Sequence, residues 1–395
     1  MRRRGTRDAW QALPGNFRQY TRVVRIVAVL FLFQAAAAYA RGPATLAIIG
    51  DVMLGWGLDK PIRKGVDPFA GVRPVLQGAN LAFANLEGPI TRRGTRAKGK
   101  RFTFRTPPER VAMLSGSGLD ALALANNHIL DYGDVGLADT IGALGGAGIC
   151  TAGAGVNLAA ARKPVWFESR GLPVALLSYN LAQSSTFRAT ATKAGAAFAE
   201  QGNMVADVRS ARALGAQVIV MLHWGLDQTG ILQDRQRVLA SALAKAGAVL
   251  IVGSHPHVAQ GTERIGKSVT VYSLGDGVFG GNPRRKDDSL VLRARLGEHG
   301  LELVELLALN ANRLETGSVA AIRTGADATK PLGRIKRLSR KLGTVLADGK
   351  TAEGWPCLTV DIRRPKRPVR RPGNRGKVGG GDQRTEDTAA RLARR

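Results

Sequence analysis

Five short apolar runs in this chain each end in a residue able to bind a metal ion, and that arrangement restricts the fold more than any other feature. Residues 44–50 run into Asp51, 81–86 into Asn85 and Glu87, and 119–125 into Asn126-Asn127-His128. Residues 217–222 run into His223, and 249–253 into His255-Pro256-His257. An α/β fold carries its functional loops at the carboxyl ends of its strands, so these junctions predict one shared rim. The chain has five histidines, and four of them occupy these junctions; His299 stands alone in a predicted turn. Taken singly, Asp51 fits a cap as well as a ligand, Asn127 fits a turn, and His223 fits a packed ring as well as a functional one. His255-Pro256-His257 is more specific. In an extended segment residues two apart face one side, which predicts that one cation meets both rings. Imidazole and carboxylate together suit a borderline divalent cation such as manganese, zinc or iron, whose chemistry is metal-assisted hydrolysis.

The rest of the pattern agrees with an α/β architecture. Further strands are expected over 173–178 and 268–274, and amphipathic helices over 108–115, 135–147, 204–214 and 233–246, the last stopping at Gly247. After Asp276, residues 289–296 and 301–309 alternate around Gly297-Glu298-His299-Gly300, which predicts an antiparallel hairpin. Beyond about Ile322 the sequence turns basic and loses its period.

A chain of 395 residues at 44% hydrophobic has material for a sizeable core. Its net charge of +28 raises nucleic acid as a partner. Much of the excess, however, lies in residues 1–41 and 362–395, and aromatic content is 5%, which argues against nucleic acid. A basic run to Arg25, an uncharged stretch over 26–40 and Ala38-Tyr39-Ala40 read as a signal peptide, with an uncleaved membrane anchor as the alternative. Either reading places the body of the protein in a periplasm or at the cell surface. The two cysteines, Cys150 and Cys357, pair only if the fold brings them together; the alternative is two buried free thiols.

The ordered series Gly50-Asp51-Val52-Met53-Leu54-Gly55, Asn85-Leu86-Glu87-Gly88, Asn126-Asn127-His128-Ile129-Leu130-Asp131-Tyr132-Gly133, His223-Trp224-Gly225, Gly253-Ser254-His255-Pro256-His257-Val258 and Tyr272-Ser273-Leu274-Gly275 resembles the CapA family of poly-γ-glutamate capsule synthesis proteins. That family is similar in turn to the calcineurin-like metallophosphoesterases. The resemblance implies a four-layer α/β/β/α sandwich of the metallophosphoesterase type with one or two divalent metal ions. It makes Asp51 and His257 ligands of a first metal, Glu87 the bridging carboxylate, and Asn127, His223 and His255 ligands of a second. His128 becomes the acid that protonates the leaving group, with Asp131 orienting it. Met53 stands where the phosphoesterase pattern has a histidine, Asp227 where CapA relatives carry Glu, and Asp276-Gly277 where they carry Asn-Phe.

Arg101 and Arg105 are expected to face an anionic substrate, with a plain surface strand as the alternative. The implied organisation is a signal peptide or N-terminal membrane anchor over 1–40, a CapA-like domain over 41–322, a C-terminal extension over 323–361 and a basic disordered tail over 362–395. The tail suits anionic lipid or cell-wall polymer. The expected function is an extracytoplasmic metal-dependent hydrolase acting on an anionic capsule polymer or a phosphoester. Its alternative is a non-catalytic assembly or export factor that binds such a polymer.

Overall fold

A computed structural model of the protein describes residues 42–182, 187–281 and 289–362. The leader and, after Ile362, the tail lie outside the described residues. Alternation along the strands builds the layers, because successive side chains on a strand face opposite sides. In strand Ala44–Met53, Leu46 and Ile48 enter one apolar cluster while Ala47 and Ile49 enter another. The first cluster also takes Leu176, Ile219 and Val252, from strands Leu172–Asn180, Gln217–His223 and Ala248–Ser254. It therefore fills the space between two sheets. Behind the first sheet lie Leu114 and Leu144, from helices Val111–Gly116 and Gly133–Gly146. Behind the second lie Val208 and Leu243, from helices Gln201–Ala213 and Asp234–Ala246, packed on Leu177, Val220 and Ile251. The outcome is the four-layer α/β/β/α sandwich that the resemblance implies.

Among the described residues the first sheet has ten strands. Ala44–Met53, Leu81–Leu86, Ala121–Ala123 and Cys150–Ala152 run parallel from its centre to one edge. The predicted hairpin, Ser289–Gly297 with Gly300–Asn310, pairs antiparallel on the other side of Ala44–Met53. In the second sheet, Leu172–Asn180, Gln217–His223, Ala248–Ser254 and Ser268–Val271 run parallel. Gly247 ends the helix before Ala248 as expected: its φ is +112°, and its N–H donates to Leu243 and Ala244 carbonyls, both at 3.1 Å.

Three expectations change. Strand 44–50 extends through Asp51 to Met53, because strand Asp276–Phe279 pairs in parallel with its last three residues. The basic region after Ile322 is not aperiodic. Helix Gly325–Lys341 buries Ala328, Leu332 and Ile335 in the inter-sheet cluster, and strands Ala347–Lys350 and Pro356–Asp361 continue the first sheet beyond Gly300–Asn310. Pro331 inside that helix and the interleaved Lys and Arg conceal its apolar stripe. Both cysteines are free, and Cys150 is exposed. Cys150 lies on one edge strand and Cys357 in the strand next to the opposite edge, so the sheet itself holds them apart.

Candidate metal centre

The parallel strands of both sheets end on one rim. Asp51 and Asn85 are register partners in the first sheet, His223 and Ser254 in the second. Close backbone packing sets this register. A Cβ on Gly50 would lie 1.8 Å from the Gly275 carbonyl oxygen, and one on Gly253 1.9 Å from that of Tyr272, so only glycine fits either position. Asp51 N–H consequently donates to Gly275 O at 3.1 Å.

All six predicted ligands are buried and meet here. Their donor atoms form two groups, Glu87 with His223 and His255, and Asp51 with Glu87 and His257, each with every donor within 4.8 Å of the others. Asn127 Oδ1 lies 2.8 Å from His223 Nε2, and His255 Nδ1 lies 3.1 Å from the same atom. Glu87 Oε1 is 3.6 Å from His257 Nε2. Metal bonds of about 2.1 Å put neighbouring ligands roughly 3.0–3.4 Å apart, and the 2.8, 3.1 and 3.6 Å spacings lie close enough to that range for small shifts to admit two divalent cations that would share Glu87.

Hydrogen bonds around the donors orient them. Asn85 donates to Asp51 Oδ1 at 2.7 Å, the His255 N–H donates to Asp51 Oδ2 at 3.1 Å, and Ser254 Oγ lies 3.0 Å from His223 Nδ1. That contact leaves Nε2 of His223 to face the centre. Asn126 donates to Leu86 O at 2.7 Å and accepts the His128 N–H at 3.0 Å, tying the third strand end to the second.

The electrostatics also fit cations. Burial, reinforced by His255 and His257, drives the His223 pKa well below the ordinary value, so this ring is the neutral form that binds metal. Burial alone would lower His257 too, yet Glu87, Asp276 and Asp51 surround it and raise it to about 10. Burial raises Asp51 against the pull of His257. Three carboxylates thus converge on one imidazole, a charge excess that a divalent ion would balance.

The expectation that His255 and His257 offer their rings to one cation fails. The segment is not extended: φ is +94° at His255 and +56° at His257, and the ring centroids are 6.3 Å apart. The two rings divide between the two donor groups, as the resemblance implies. Positive φ at consecutive histidines around a proline is strained backbone of the kind that functional sites retain.

His128 stands beside both groups, its Nε2 3.7 Å from Glu87 Oε1. Asp131 Oδ2 lies 2.6 Å from His128 Nδ1 and accepts the Phe104 N–H at 2.6 Å, while Phe104 stacks on the His128 ring at 4.0 Å. Burial lowers the His128 pKa, opposed by Asp131. Lys100, which sequence reading passed over within a basic loop, pairs with Asp131 and sits 3.1 Å from His128 Nδ1.

A cavity of about 400 Å³ opens over the rim and is lined by Lys100, Arg101, Trp56, Phe102 and Asp227 beside the candidate ligands. Arg101 is therefore at the mouth. Arg105 is not part of this lining; its guanidinium lies over the Tyr132 ring at 4.5 Å. Met53 is fully buried with Phe104 and Phe279, and its sulfur accepts the Gly55 N–H at 3.1 Å.

The family model described as "Bacterial capsule synthesis protein PGA_cap" matches residues 45–281, which include every candidate ligand, His128 and Asp131. The chain belongs to the PGA_cap family. Over 330 residues this PGA_cap protein is 30% identical to the PGA biosynthesis protein CapA of Bacillus subtilis (strain 168), covering 82% of this chain and 84% of that one. It is 29% identical over 306 residues to the capsule biosynthesis protein CapA of Bacillus anthracis, covering 75% and 74%. A probable polyglutamine synthesis accessory protein of Mycobacterium tuberculosis is 27% identical over 283 residues, covering 67% and 73%. Among solved structures, the NAD nucleotidase of Haemophilus influenzae superposes with a TM-score of 0.42 at 11% identity, covering 75% of this chain and 56% of that one.

Proposed function

We propose that this PGA_cap protein is an extracytoplasmic metal-dependent hydrolase that cleaves an anionic capsule polymer of poly-γ-glutamate type, or a phosphoester formed during its synthesis. One observation carries the reading: two buried donor groups share Glu87, and an imidazole oriented by a buried carboxylate stands 3.7 Å from that shared residue. Divalent ions held by Asp51, Glu87, Asn127, His223, His255 and His257 would polarise a substrate oxygen and acidify a bound water. The chain's own residues do the rest. Lys100 and Arg101 draw an anionic substrate into the cavity. His128 acts as the imidazolium: its Nδ1–H stays on Asp131, which with the Phe104 ring holds the imidazole in place, and its Nε2 proton goes to the leaving group. The uncharged stretch over 26–40 supports export, and the basic tail supports contact with anionic lipid or wall polymer. The test is an assay of purified protein with manganese or zinc on phosphodiesters and on poly-γ-glutamate, alongside His128→Ala. A loss of roughly 10²–10⁴-fold is expected, and turnover unchanged by the substitution refutes the acid assignment.

Met53 motivates a second reading, a non-catalytic assembly factor that binds the polymer, since a donor-poor first position retains binding without turnover. Protein that carries no transition metal after gentle purification, yet binds the polymer, favours it.

A further inference from the structure

We propose that Asp276 is the positioning residue that lets the Asp51–Glu87–His257 group hold its ion, by deciding which nitrogen of His257 faces the cation. The inference rests on reading that group as a metal position. Strand Asp276–Phe279 pairs in parallel with Ala44–Met53, and Asp276 is the register partner of Asp51. The pairing pins the Asp276 carboxylate beside His257, with Oδ1 2.7 Å from Nδ1. Asp51 Oδ2 is farther from the same nitrogen, at 3.6 Å. On the other side of the ring, Nε2 faces Glu87 Oε1 at 3.6 Å.

A neutral imidazole with a carboxylate at hydrogen-bond distance on Nδ1 keeps its proton there and presents the Nε2 lone pair. Asp276 therefore turns the metal-binding nitrogen of His257 toward the residue common to both donor groups. Little else gives the ring a direction. The backbone at His257 lies at a φ of +56° outside any strand, and the ring packs on Phe279 with centroids 4.8 Å apart. Met53, two residues past Asp51 on the same strand, adds no donor, because its sulfur is engaged by the Gly55 N–H. With Asp51, Glu87 and His257 as the three donors in the group, the orientation of its one imidazole governs occupancy.

The experiment titrates the metal-stripped full chain with Mn²⁺ by calorimetry and records the electron paramagnetic resonance of the loaded protein. The wild type is expected to take two ions and to show a spin-coupled pair. Asp276→Ala keeps the Glu87–His223–His255 ion, weakens the other about 10- to 100-fold and loses the coupled signal. Asp276→Asn retains an acceptor for the Nδ1 proton and recovers most of both. An alanine variant equal to the wild type at both ions overturns the proposal. An asparagine variant as weak as alanine also overturns it, since charge and not orientation would then matter. A wild type that binds one ion overturns it while leaving the hydrolase reading standing. A wild type that binds none refutes the metal reading itself.

Discussion

Asp131 pairs with Lys100, and removing its carboxylate has a calculable consequence. Asp131 is fully buried, accepts the Phe104 N–H at 2.6 Å and meets His128 Nδ1 at 2.6 Å as well as Lys100 Nζ. Asp131→Asn keeps the shape and deletes the carboxylate, leaving Lys100, with a side chain 18% exposed, without the partner it pairs with. Removing one partner of a buried ion pair costs about 3–5 kcal/mol, and the partial exposure of Lys100 places this case near the lower limit. Burial already lowers the Lys100 pKa despite Asp131, which agrees with a cation that depends on its partner. Lys100→Met leaves Asp131 with the Phe104 amide and the His128 imidazole as partners, a loss of about 2 kcal/mol. The double variant buries neither charge and is expected to be about 2 kcal/mol more stable than the two losses summed. Urea denaturation of the four proteins under one set of conditions measures the coupling. Simple additivity refutes the claim that Lys100 neutralises Asp131.

The other predictions concern packing, the shared ligand and protons. Gly253→Ala puts a methyl 1.9 Å from the Tyr272 carbonyl oxygen and 2.3 Å from Trp224 Nε1, so urea unfolding should show a loss of about 3 kcal/mol; a near-native midpoint contradicts the register derived for that strand. Glu87→Gln, by altering the residue common to both donor groups, should weaken both ions in a Mn²⁺ titration, and selective loss of one contradicts a bridging role. His257 has a raised pKa in the metal-free protein, so the stability it contributes is fully present below about 6.5 and is lost as pH rises toward about 10. Thermal melts of chelated protein should fall across that window, and saturating Mn²⁺ should flatten the fall by replacing the proton; parallel profiles with and without metal argue against His257 as a ligand.

The site was legible in advance because strand ends advertise themselves: an apolar run followed by Asp, Asn or His places the polar residue at the carboxyl end of a strand whatever its neighbours. Asp51, Glu87, Asn127, His128, His223, His255 and His257 all stand in such junctions, and all meet at the rim. Lys100 and Asp276 carried no such signal. Lys100 sits in a basic loop that looks solvated, and Asp276 stands out in the sequence as a departure from the Asn-Phe that CapA relatives carry. Each acquires its role from a partner far away in the chain: Asp131 for one, Asp51 and His257 for the other.

The strands expected over 44–50, 81–86, 217–222 and 249–253 and the helices between them follow from local apolar period, and so does the choice of an α/β fold. Tertiary structure alone decided three things. It turned the chain through positive φ at His255 and His257 after the strand instead of letting it run on extended, so that their rings divide between two donor groups as the resemblance implies and their spacing does not. It drew strands Ala347–Lys350 and Pro356–Asp361 into the first sheet, because pairing alongside Gly300–Asn310 satisfies backbone groups that no local pattern announces. It also set the charge balance at the rim, where three carboxylates around one buried imidazole call for a cation, since burial and proximity are properties of the packed protein and not of any segment of it.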